Sequence, residues 1–211
     1  MGIIYFDIAA LCIHILNFYL YFSRSRLYLK QTRIFLVVII IAICATITDI
    51  ATLVFYAQAQ IYSIFLHYII NILFYMFQNS IPVFFCFFIL SLVDEKKEIK
   101  KWFKQVLFLP WFVSLGLIIT TPLTHKVFYF NENLDYVRGN YLLILYAFAL
   151  SYSLIGFFIF CKNRRISTKT TQLAVFLFVP ISLLSLMVQF VFPDLLVQNL
   201  GIALSSLIIL L

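Results

Sequence analysis

Only 11% of the 211 residues carry a charge, and 64% are apolar. So few charges cannot keep a soluble globule of this size in water, which excludes a free enzyme domain and leaves lipid as the solvent for most of the chain. Glycine is also scarce, at five residues, so close GxxxG association of helices has no support. The four cysteines, Cys12, Cys44, Cys86 and Cys161, show no paired spacing; they read as small buried hydrophobes and supply no metal or disulfide pattern. Phosphate-binding glycine loops, H-E-x-x-H and C-x-x-C metal spacings and the G-x-S-x-G elbow are all missing. No cofactor, metal site or catalytic residue is therefore expected, and this chain reads as a non-enzyme.

What the sequence has in abundance is long apolar runs. Crossing a bilayer takes about 20 such residues, and cutting the chain at its charged and turn-forming stretches leaves seven runs. They extend over Ile3–Phe22, Ile34–Tyr56, Tyr62–Leu92, Val106–Thr121, Tyr141–Phe160, Leu173–Phe192 and Leu196–Leu211. The first has no basic residue ahead of it and is too long for a signal-peptide core, so it counts as a span. An all-α bundle of seven transmembrane helices, forming one domain over residues 1–211, is the expected fold.

The net charge of +7 does not mark a nucleic-acid binder, because the cations are clustered between apolar runs. Arg24, Arg26, Lys30 and Arg33 follow the first run. Lys96, Lys97, Lys100, Lys101 and Lys104 follow the third, and Lys162, Arg164, Arg165 and Lys169 follow the fifth. Thirteen of the fifteen Lys and Arg residues thus fall on one side of an alternating chain. Short basic loops are retained in the cytoplasm, which predicts an amino terminus outside, a carboxyl terminus inside and a plasma-membrane location. Lys126 and Arg138 belong to the opposite face. They lie within the stretch HKVFYFNENLDYVRGN, in which strand formers surround Asn131, Glu132 and Asn133; a short external β-hairpin is predicted there, between the fourth and fifth helices.

Polar side chains inside apolar runs are costly, by about 2.5 to 3.5 kcal/mol for an ionisable group at a helix centre, and so mark candidate sites. Asp49 stands in CATITDIAT, with Thr46 on the same face. His67, Asn71 and Gln78 recur at spacings of four and seven and form one stripe. Pro82 follows and predicts a kink. Asp7, Gln189, Gln198 and Asn199 map to the same outer half of the bundle. Together, Asp49, His67, Asn71, Gln78, Gln189, Asn199 and Asp7 suggest a pocket for a small, polar or cationic ligand, roofed by the hairpin. Interhelical hydrogen bonding accounts for the same residues without a ligand. His14 and Asn17 lie deeper and read as packed polar contacts.

The order of these elements, with TDIAT in the second run, NILFYMFQNSIPVFF in the third and FYFNENLDYVRG before the fifth, resembles the amino-terminal seven-span sensory region of bacterial diguanylate cyclases and histidine kinases. The resemblance implies signal reception at the outer half and relay through the seventh helix to a cytoplasmic cyclase or kinase domain that this chain does not contain. It also implies a homodimer. A sensory role carries over to Asp49 and the hairpin. A small transporter or channel subunit, or an accessory membrane protein without a ligand, remains open as an alternative; no internal repeat favours the transporter.

Overall fold

The computed structural model describes residues 4–23, 30–58, 61–94, 98–132, 134–163, 169–192 and 197–210. Within them the chain forms α1 (Ile4–Ser23), α2 (Lys30–Ala57), α3 (Ile64–Asp94), α4 (Lys101–Ile119), the single turn α5 (Thr121–Thr124), β1 (Phe128–Phe130), β2 (Tyr136–Arg138), α6 (Leu142–Asn163), α7 (Lys169–Val191) and α8 (Gln198–Leu210). Six of the helices, α1, α2, α3, α4, α6 and α7, are long and apolar enough to cross a membrane. This is the architecture of a multi-pass membrane protein. The helix in the seventh run, α8, has 13 residues and falls short of that length. Arg24, Arg26, Lys96, Lys97, Arg164 and Arg165, read from the sequence as loop cations, lie outside the described residues, as do Asn133, Pro193 and Asp194.

The helix limits follow the hydrocarbon requirement more loosely than the runs do. Helix α4 begins at Lys101, five residues ahead of the apolar run, because Lys and Arg stems are good helix formers whose charged ends extend away from apolar surface. Helix α3 passes through Pro82 and remains helical for 31 residues. The most buried of the long helices, it packs along α2 and also contacts α6 and α4. Helix α8 is wedged between α1 and α7 and touches α2.

Two kinds of packing divide the bundle. Phe85 stacks on Phe178 at 3.7 Å and joins Val38, Ile39, Ala42, Ile89, Val175 and Ile202 in an apolar core shared by α2, α3, α7 and α8. A second cluster lies at the other end of α3, where Phe128 and Phe130 of β1 pack with Ile118, Leu142 and Leu145. The two strands pair antiparallel, Phe128 opposite Arg138 and Phe130 opposite Tyr136. Their base is closed by Gly139, whose N–H donates to the Val127 carbonyl at 2.8 Å. A methyl group on Gly139 would lie 2.1 Å from the Lys126 carbonyl oxygen, so this position must lack a side chain for the strands to approach.

The cysteines fit the expectation only in part. Cys86 is buried between α3 and α6, Cys44 and Cys161 are partly buried, and Cys12 is exposed on the outward side of α1. For a helix facing lipid, that exposed thiol is still in apolar surroundings.

Candidate functional site

At the strand end of the bundle, helices α2, α3, α6, α7 and α8 together with β1 and β2 enclose a cavity of about 400 Å³. Five of the seven residues singled out from sequence line it: Asp49, His67, Asn71, Gln78 and Gln189. Three of these come from the single stripe on α3, because 3.6-residue periodicity stacks positions 67, 71 and 78 on the side facing α2 and α6. Asn71 uses one amide hydrogen on its own helix, donating to the His67 carbonyl at 2.9 Å. His67 Nε2 and Gln78 Oε1, atoms of two residues of the wall, are buried with no hydrogen-bond partner among the described residues. A polar atom held out of water without a hydrogen bond is rare and costs about 1–3 kcal/mol, so such atoms mark the wall that a polar ligand would complete.

Asp7 and Asn199 take a different place. They stand behind Asp49, off the cavity wall, and the Asn199 amide donates both hydrogens: to Asp7 Oδ1 at 3.0 Å and to Asp49 Oδ2 at 2.7 Å. One side chain of α8 thereby joins α1 to α2. All three residues are under 5% exposed. Their neighbour Gln198 does line the cavity, and its backbone N–H, the first of α8, donates to Gln189 Oε1 at 3.3 Å. Helix N-termini leave such N–H groups without intrahelical partners; here α7 supplies one. The deeper Asn17 is the packed polar contact expected of it, donating to the Ala203 carbonyl at 2.9 Å. His14 is equally buried and has no hydrogen-bond partner among the described residues.

The rest of the wall joins aliphatic side chains such as Leu53, Leu142, Leu145 and Leu186 to aromatic and basic ones, and the sequence reading did not single these out as lining a site. Phe130, Tyr136 and Arg138 enter from the strands, Tyr75 from α3 and Tyr146 from α6. The Tyr75 and Tyr136 hydroxyls hydrogen-bond to each other. Phe130 packs on the His67 ring with centroids 5.4 Å apart. Burial pushes the Tyr136 phenol up to about 12, against the opposing pull of Tyr75 and Arg138, so the phenol is neutral at physiological pH and does not offset the guanidinium beside it. Strand alternation held the clue to Arg138: positions 136 and 138 share a face, so a strand that turns Tyr136 inward also turns Arg138 inward.

No protein-family model matches this sequence, and no curated protein matches it.

Proposed function

We propose that the chain is the sensory membrane region of a signalling protein, with the cavity as its receptor site and α8 as the element that reports occupancy. One observation carries this reading: the helix in the seventh run places Gln198 on the cavity wall, while the adjacent Asn199 ties it to α1 and α2. A ligand in the cavity therefore contacts the element best placed to relay its presence. Binding that favours one packing of α8 over another shifts the population between two arrangements of the bundle.

The threading that accompanies this function has seven crossings, with α8 part of the last. It puts the amino terminus and the strand pair outside and the three basic loops in the cytoplasm, in keeping with retention of Lys and Arg on the inner side. The cavity then opens toward the exterior of the plasma membrane. The output is a cyclase or kinase domain on the cytoplasmic side, and the module works as a homodimer; both follow from the resemblance in element order to bacterial sensory regions.

The test is signal output in cells that carry the intact protein. Asp49→Asn and His67→Ala should alter output, read as cyclic dinucleotide level or phosphotransfer, while abundance and membrane insertion stay at wild-type levels. Unchanged output from both variants at normal abundance would return these residues to a packing role.

A further inference from the structure

We infer that the ligand of this cavity is a small zwitterion, a molecule carrying an ammonium group and a carboxylate. The inference rests on the reading of the cavity as a receptor site and adds the charge pattern of its occupant.

A carboxyl group and a guanidinium line the same cavity. Asp49 presents a carboxylate from α2, and Arg138 presents a guanidinium from β2. They do not pair with each other: among the described residues the ion pair seen is Lys104 with Asp94 at 2.6 Å, at the far end of α3. Tyr146, on the same wall, is within electrostatic reach of both. Asp49 takes an amide hydrogen from Asn199 but meets no cation among the described residues. Arg138 has beside it a phenol that burial keeps neutral at physiological pH, Tyr136.

A charge taken out of water must be paired or the cost is several kcal/mol. A ligand of one sign would satisfy one pole and trap the other beneath it. A ligand with both signs pairs each, with Arg138 gripping the carboxylate through its planar fork and Asp49 taking the ammonium. The remaining wall suits that occupant. His67 Nε2 and Gln78 Oε1 offer unused hydrogen-bonding capacity, and Phe74, Tyr75 and Phe130 supply ring faces of the kind that attract cations. The volume of about 400 Å³ lies near the lower end of the range for small-molecule sites, about 300–1,000 Å³, which selects a compact metabolite over a peptide or lipid.

The experiment uses the full chain in lipid nanodiscs and follows its thermal midpoint by the fluorescence of Trp102 and Trp111. The probes are the common α-amino acids and glycine betaine, each matched with its amine or quaternary ammonium counterpart lacking the carboxylate and its acid counterpart lacking the nitrogen. At least one zwitterion should raise the midpoint while its two counterparts at equal concentration do not. Arg138→Gln should weaken that response at least about tenfold, and Arg138→Lys, which keeps the charge, should retain part of it; unliganded midpoints near wild type establish that both variants fold. An equal response to an amine or an acid alone, or an undiminished response in Arg138→Gln, would overturn the zwitterion while leaving a ligand-binding cavity. A flat response to the whole panel would overturn it as well, and the receptor reading would still be judged separately by the output of Asp49→Asn and His67→Ala.

Discussion

The amide of Asn199 and the carboxylate of Asp49 meet at 2.7 Å, and the same amide reaches Asp7 at 3.0 Å. The first two helices are thus tied to the last by one side chain, which donates to two buried carboxyl groups. Replacing Asn199 by Ala removes that donor from both buried groups, at a cost of about 1–3 kcal/mol for each. The thermal midpoint of the purified chain should fall clearly, and Asn199→Asp, which adds a third acid, should fall further. A midpoint unchanged in Asn199→Ala would show that the bridge contributes nothing to stability.

Gly139 closes the base of the strand pair next to Arg138. Because a Cβ there would meet the Lys126 carbonyl oxygen at 2.1 Å, Gly139→Ala must open the base of the strand pair, a form of overpacking that costs about 1–3 kcal/mol. Hydrogen exchange should speed up over residues 126–141 while the helices away from the strands keep their protection. Exchange that is unchanged in this segment would mean the strands tolerate the methyl group.

A reciprocal pair tests the contact between α7 and α8. A methyl on Gly201 would lie 2.2 Å from Ser185 Oγ and 2.6 Å from Ser185 Cβ. Gly201→Ala should therefore destabilise, Ser185→Ala should not rescue it because the Cβ remains, and Ser185→Gly should restore much of the loss. The coupling is read from a double-mutant cycle of thermal midpoints.

Tyr136 gives a signature in alkaline solution. Its phenol is raised from 10.0 to about 12 by burial, so the folded chain holds this proton longer than the unfolded chain does. The associated stability is complete below about pH 10 and is lost as pH rises toward about 12. Ultraviolet titration of tyrosinate should show a late-ionising phenol that Tyr136→Phe removes, with a shallower loss of stability over the same interval. A titration identical in the two proteins would contradict the burial.

The helices were legible because hydrocarbon leaves a chain few options: backbone groups must bond within the segment, so long apolar runs become helices. Asp49, His67, Asn71, Gln78 and Gln189 were legible on the cavity wall for the complementary reason, since polar groups are too costly in apolar runs to be placed idly. The same logic could not separate Asp7 and Asn199 from them, because periodicity gives the face of a helix and not whether a neighbour or a cavity meets it. Arg138 was hidden by its other role, as a cation counted for orientation. The tyrosines of the wall were hidden by number: 13 Tyr and 25 Phe give no contrast by which sequence alone could single out Tyr75, Tyr136 or Tyr146.

The glycine seat at position 201 also limits how α8 can move. With Ser185 pressed against the bare backbone, turning α8 about its own axis would swing the bulky Ile202 or Leu200 into α7 and meet steric resistance within a fraction of a turn. Sliding along the axis also carries Ser185 off the glycine, whereas swinging as one rod with α7 keeps it in its seat. The mechanics of this corner therefore favour a coupled lever of two helices over a single rotating shaft.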